Sequence, residues 1–429
     1  MKIKMKYVPY EYTKGIATPK RKHLNKPSKL FKLLVRILSI FELRSAKFTY
    51  TQEGMEKIGK KEPCLILMNH SSFIDLKIAS KLFFHRPYHI VSTMDGFIGK
   101  HWLMRQIGCI PTRKFVSDVA LMRDIHRALH EKKTSVLLFP EAGYSFDGRA
   151  TTLPKNLGGF MKKLGVPIVS VITDGAFLHQ PLYNNLRMRK NRVTAHVQCL
   201  LTKEEAAEKT PEQIDEMLEK LFSFDNFKNQ YMNMVKIDDP SRAEGLHRIL
   251  YRCPACQAEG KTLGEGITLT CKHCGKVYTM DEYGRMHAND GKTEFSHIPD
   301  WTDWERECVR KELESGEYRL NLDVNIGILA DYKAIYMVGG GTLLHDENGF
   351  ALKGCDGELN YQQSPLSSYS LNSDFLWYEI GDVIGIGDTK RLYYCFPKEK
   401  DIVTKARFAA EELYKIVKSR LPAKKGGNA

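Results

Sequence analysis

The chain has 429 residues, 42% hydrophobic and 27% charged, which excludes a disordered or fibrous protein and leaves room for two to four domains. Its net charge is +14, and residues 1–50 hold 13 Lys and Arg against Glu11 and Glu42, so most of the excess sits at the N-terminus. No run of 18 apolar residues occurs, so no membrane-spanning helix is expected.

A basic arm suits an anionic membrane surface or a nucleic acid. Within it, SKLFKLLVRILSIFEL (28–43) reads as a helix in which Lys29, Lys32, Arg36 and Ser39 recur at spacings of three and four. They form one polar stripe on an otherwise apolar cylinder. At 1.5 Å per residue it spans about 21–24 Å, short of a hydrocarbon core of about 30 Å. Such a helix lies in the bilayer interface or packs on its own domain. No small-residue cleavage site follows, so a signal peptide is not expected. Residues 1–45 are read as a basic arm with an interfacial amphipathic helix.

PCLILMN (63–69) reads as a short buried strand and DLKIASKLFF after it as a helix. Residues 117–131 have helical spacing and 134–139 are again a strand. LGGFMKKLG and VPIVSVI continue as helix then strand, and RVTAHVQCL is another strand. Alternating short strands and helices predict an α/β sheet covered on both faces, closed by a charged helical segment at 202–225. This unit is placed at 46–235.

Two stretches in it carry chemistry. NHSSFID puts Asp75 five positions after His70. A His with an Asp in reach acts as a general base, because the carboxylate fixes the tautomer and supports the imidazolium. After the apolar run SVLLF comes FPEAGYSFDG from Phe139, which places Glu141 at the end of an expected strand. Ligands in open α/β sheets sit at such strand ends.

The order of blocks resembles the lysophosphatidate acyltransferase (PlsC-like) superfamily. The matching residues are Asn69, His70 and Asp75; Gly108 through Arg113 in GCIPTR; Phe139, Pro140, Glu141 and Ser145; and VPIVSV from Val166. The resemblance covers about residues 30–235. It implies a glycerolphosphate-acyltransferase-like sheet flanked by helices. It also implies direct transfer of a fatty acyl group from acyl-CoA or acyl-ACP to a hydroxyl of a (lyso)phospholipid-type acceptor. His70 would be the base and Asp75 its orienting partner. Arg113, Glu141, Gly143 and Ser145 would be substrate-binding, Arg113 against a phosphate and Gly143 and Ser145 shaping the turn. The implied partners are membrane lipids and acyl carrier protein, with the enzyme peripheral on the cytoplasmic face of the cell membrane. One block departs: where the family has Gly-Thr-Arg this chain has Ala142, Gly143 and Tyr144. Tyr cannot supply the bidentate charge a guanidinium offers a phosphate.

Beyond the resemblance, CPAC (253–256) and CKHC (271–274) stand 14 residues apart. Two such knuckles place Cys253, Cys256, Cys271 and Cys274 tetrahedrally around one metal, usually structural zinc, in a ribbon at 248–292. The other six cysteines read as small buried hydrophobes. Trp301 and Trp304 share a face of a helical linker at 293–316. Residues 317–421 are β-rich with one terminal helix, an element order that resembles a pleckstrin-homology-type barrel. Residues 422–429 are expected to be disordered. Two rival readings are a lapsed acyltransferase serving as a membrane adaptor and a nucleic-acid-binding ribbon protein. The ribbon is not strongly basic, and no nucleic-acid partner is expected.

Overall fold

The computed structural model describes residues 3–421 except positions 20, 22 and 117; the 422–429 tail lies outside the described residues. The chain opens with β1 (Met5–Tyr7), α1 (Tyr10–Lys14) and α2 (Lys29–Ser45). Seven strands then form one sheet: β2 (Thr49–Glu53), β3 (Leu65–Met68), β4 (Tyr88–Thr93), β5 (Cys109–Thr112), β6 (Ser135–Leu138), β7 (Ile168–Asp174) and β8 (Thr194–Leu201). Their spatial order is β2-β8-β7-β3-β6-β4-β5. The run from β7 to β5 is parallel, while β8 pairs antiparallel with β7.

β3 is buried along its whole length and sends alternate side chains to opposite faces. Ile66 and Met68 enter a core with Leu43 of α2 and with Ile74 and Ile78 of α3 (Ile74–Leu82). Leu65 and Leu67 enter the opposite core. There they meet α5 (Val119–His126), α6 (Leu157–Leu164) and α9 (Pro211–Leu221); α4 is His101–Ile107, α7 Ala176–His179 and α8 Lys203–Glu208. Covering both faces is what a continuous apolar strand requires.

α2 packs the opposite way from an ordinary surface helix. Two members of its polar stripe face the protein: Lys32 Nζ donates to the carbonyls of Phe84 (3.2 Å) and Arg86 (2.8 Å), and Ser39 Oγ lies 3.0 Å from Ser80 Oγ. Burial pulls Lys32 down to about 8. The apolar side faces out, with Leu30 70%, Leu38 68% and Phe41 83% exposed. Trp102 of α4, 65% exposed, extends this patch through an edge contact with Phe31 at 5.5 Å. No described helix is long and apolar enough to cross a membrane.

After α10 (Asn226–Met232), four strands form an antiparallel meander: β9 (Thr262–Glu265), β10 (Thr268–Cys271), β11 (Val277–Met280) and β12 (Met286–Ala288). The segment expected to be a linker is α11 (Ile298–Ser315). It is an internal strut, with Trp301 fully buried and its ring 5.0 Å from that of Tyr278.

The last unit is one antiparallel sheet: β13 (Leu320–Leu329), β14 (Ile335–Asp346), β15 (Gly349–Gly354), β16 (Leu359–Gln363), β17 (Asn372–Trp377), β18 (Gly381–Gly387) and β19 (Leu392–Pro397), followed by α12 (Val403–Ser419). Its order is β16-β15-β14-β13-β19-β18-β17. The sheet curls until Gly387 N donates to Gln363 Oε1 at 2.9 Å, but no ladder joins β16 to β17 among the described residues. The N-terminal arm is corrected here: β1 adds parallel to β14, Met5 opposite Ile335, so residues 5–7 belong to this sheet.

Candidate active site

β7, β3 and β6 are parallel neighbours, so the loops leaving them meet at one edge. Asn69, just past β3, is locked to the end of β7: its Oδ1 accepts Thr173 N (2.8 Å) and Thr173 Oγ1 (3.0 Å). His70 follows, its side chain 20% exposed. Its Nδ1 lies 3.0 Å from Asp75 Oδ2, which also accepts Ser71 N (2.7 Å) and Ser72 N (3.0 Å). An oxygen already receiving two N–H groups is an acceptor, so Nδ1 carries the proton. Nε2 has no hydrogen-bond partner among the described residues and is left as the basic atom. The ring stacks on Phe139, centroids 4.0 Å apart, and lies 4.2 Å from Tyr144. Burial lowers the His70 pKa, Asp75 opposes that and Lys114 adds to it, so the imidazole is neutral at physiological pH.

Glu141, beyond β6, is buried and holds both flanking loops. Oε1 accepts His70 N (2.9 Å) and Oε2 accepts Thr151 N (2.8 Å). Burial pushes it up to about 7 although both N–H bonds pull the other way. Glu141 therefore buttresses the histidine loop, where the resemblance implied a substrate contact. Ser145 joins the same loop: its N donates to His70 O (2.8 Å) and its Oγ to Arg149 O (2.6 Å). The left-handed residue of this turn is Ala142, φ 56°, while Gly143 has open space where a Cβ would lie. The turn's demand thus falls one residue before the glycine.

Arg113 stands apart from this cluster. It is largely buried, 4.0 Å from Asp118 Oδ2, and burial lowers its pKa. Asp118 is shared with Arg21, which also bonds Asp124 at 2.6 Å. No contact joins Arg113 to His70 among the described residues. The cation whose charge reaches His70 is Lys114.

The last sheet packs against the loops beside the site. Phe375 packs on Phe146 at 4.7 Å, and Trp377 shares a cluster with Met94 and Ile98, which follow β4. Between these contacts β17 brings Asp374 near Lys114 and Asp95. Burial lifts Tyr144 well above the usual phenol value, and the charges of Asp75, Asp374 and Asp95 lift it further. The position where the family carries arginine is an aromatic residue facing three carboxylates. Sequence reading missed Asp95, Thr151, Thr173 and Asp374. Lys114 had a signal, since it directly follows Arg113; the others are distant in sequence and only the fold gathers them.

The four expected metal ligands are also brought together. Cys253, Cys256, Cys271 and Cys274 have all their sulfurs within 4.8 Å of one another. Cys253 Sγ is 3.8 Å from Cys274 Sγ, and Cys256 Sγ is 3.7 Å from Cys271 Sγ. These are free thiols, and a tetrahedral centre with metal–sulfur bonds of about 2.3 Å has edges of roughly 3.8 Å, so the donor set fits a metal ion.

Residues 49–174, well under half of the chain, match the family model Acyltransferase. This segment, which holds His70, Asp75, Arg113, Glu141 and Ser145, is an acyltransferase domain. Among solved structures the chain is similar to the crystal structure of the 1-acyl-sn-glycerophosphate (LPA) acyltransferase PlsC from Thermotoga maritima. That likeness is 16% identity over 44% of this chain and 76% of that one, with a TM-score of 0.35, too low to carry an argument. No curated protein matches the chain significantly.

Proposed function

We propose that the protein transfers a fatty acyl group from a thioester carrier, acyl-CoA or acyl-ACP, to a hydroxyl of a lysolipid-type acceptor at a membrane surface. The observation that carries this reading is the His70–Asp75 pair at the end of β3, its Nε2 free and its loop fixed by Glu141. Nε2 takes the acceptor's hydroxyl proton as that oxygen attacks the thioester carbonyl. The carbon–sulfur bond breaks, and the departing thiolate takes the proton back from the imidazolium. Asp75 holds Nδ1–H and stabilises the transient positive charge.

Tyr144 and the nearby carboxylates disfavour a phosphate monoester beside the reacting hydroxyl, so the preferred acceptor has a less anionic head group than lysophosphatidate. The outward apolar face of α2 with Trp102 fits the bilayer interface, and Phe73, 54% exposed and 5.9 Å from the Tyr144 ring, continues apolar surface to the cleft. The cysteine cluster holds a structural zinc, which leaves no open coordination position. The deciding experiment incubates the protein with acyl-CoA, acyl-ACP and a mixed lysolipid panel on vesicles, with products read by mass spectrometry. Acylated lipid that disappears in His70→Ala is expected; no product with any donor would favour the adaptor reading.

A further inference from the structure

We propose that the four-cysteine centre sets the geometry of the acyl-transfer loop, acting through the first turns of α11, with Thr302 and Asp303 as positioning residues. For its kinetic consequence this rests on the acyl-transfer reading above.

The connection alternates hydrogen bonds with short covalent steps along α11 and through residues 145–149. Arg252 immediately precedes the first ligand, Cys253. Both of its backbone groups are held by α11: Trp301 Nε1 donates to Arg252 O (3.0 Å), and Arg252 N donates to Glu305 Oε1 (2.8 Å). Trp301 and Glu305 are one helical turn apart and both fully buried, so this face of the helix is fixed to the knuckle. The neighbouring residues grip the catalytic loop. Thr302 Oγ1 donates to Asp147 Oδ2 (2.7 Å). Arg149 donates to both Asp303 oxygens, Nη1 to Oδ2 and Nη2 to Oδ1, each at 2.7 Å, and to Asp147 from Nη2 at 2.8 Å. The Arg149 carbonyl accepts Ser145 Oγ, and Ser145 N donates to the His70 carbonyl. Five consecutive links lead from the residue before Cys253 to the residue that holds the proton.

Bidentate guanidinium–carboxylate pairs hold direction as well as distance, so a tilt of α11 is passed to Arg149. The meander is small and depends on its metal for order, because binding and folding are coupled in such units. Loss of the metal frees Arg252, then α11, then the 139–149 loop. Misplacing catalytic groups by about 1 Å costs up to about a hundredfold in rate.

The test uses the full-length, metal-loaded protein and hydrogen–deuterium exchange read by mass spectrometry. Stripping the metal with a chelator should speed amide exchange in the 139–151 peptides about tenfold or more. In loaded protein, Thr302→Val with Asp303→Asn should speed the same peptides, leave the 250–280 peptides and the metal content unchanged, and lower kcat about ten- to a hundredfold with KM within twofold. Thr302→Ser alone, which keeps both the donor and Asp303, should leave both readouts at wild-type values. Unchanged exchange at 139–151 after metal loss, while 250–280 loosens, would overturn the proposal. If stripping unfolds the whole chain, the loaded double variant decides: wild-type exchange at 139–151 overturns it equally. A wild type without acyl transfer would sink the functional reading while leaving the exchange result to stand on its own.

Discussion

Asp75→Asn separates the two things Asp75 does. In other settings an asparagine presents its amide to the histidine and selects the wrong tautomer. Here one oxygen, Oδ2, accepts Ser71 N, Ser72 N and His70 Nδ1, while Oδ1 is buried without a partner. The introduced asparagine can place its carbonyl where Oδ2 lies and keep all three bonds. Turning the amide inward would set its N–H against three donors. The tautomer is therefore retained, and the amide NH2 left at the partnerless Oδ1 position costs the fold about 1–3 kcal/mol. What disappears is the negative charge beside the developing imidazolium. A charge pair at about 4 Å is worth about 4 kcal/mol at an effective dielectric of about 20, and the retained neutral hydrogen bond offsets part of it. The expected loss is about 2–4 kcal/mol of transition-state stabilisation, about 30- to 1,000-fold in kcat/KM, with KM little changed. Asp75→Ala should instead strand all three N–H groups and lower stability by more, about 3–5 kcal/mol. Steady-state kinetics beside denaturant unfolding of both variants makes the comparison. Wild-type turnover in Asp75→Asn, or equal destabilisation by the asparagine and alanine substitutions, would refute the reasoning.

Four further outcomes are expected. Glu141→Gln should cost about 1–3 kcal/mol, because one of its two N–H acceptors becomes a donor. Since the folded pKa of Glu141 is raised to about 7, its contribution to stability is full below its unfolded value and is lost as pH rises through 7; denaturant melts across that window should show this slope in wild type and not in the variant. Ile37→Ser with Phe41→Ser, both at exposed positions, should leave the melting temperature unchanged and weaken anionic-vesicle sedimentation about a hundredfold. Elemental analysis should find about one zinc per chain, lost when Cys253 or Cys271 is replaced by Ser. Tyr144→Arg should raise the kcat/KM ratio of lysophosphatidate over a monoacylglycerol about ten- to a hundredfold in a competition assay; no gain would mean that another cation already meets the phosphate.

What was legible in the sequence follows a physical division. β3, β6 and β7 were readable because burial on both faces writes itself as unbroken apolar runs. His70 with Asp75 and the four cysteines were readable because their partners lie within one loop or two knuckles. α2 was visible as an amphipathic helix, but which face turns inward was not. That is set by Ser80 and the carbonyls of Phe84 and Arg86, which offer polar partners where a hydrophobic core is the usual neighbour. Arg113 and Glu141 were found as residues but not as roles, since their neighbours Asp118 and Thr151 come from later turns. The placement of β17 beside the site had no local sign at all, because the charge of Lys114 reaches Asp374 across some 260 positions of chain.

The pairing of β1 with β14 has a consequence for how the molecule is made. The strand that Met5 needs, Ile335–Asp346, is translated more than three hundred residues after it. At about 5–20 residues per second, the first strand waits many seconds without its ladder. During that interval the acyltransferase sheet can form while β1 stays without its ladder. The docking of β1 is then a late event that ties it to a sheet made more than three hundred residues after it. A bulky fusion placed directly before Met5 should therefore slow maturation of the C-terminal unit, even though it lies far from that unit in sequence.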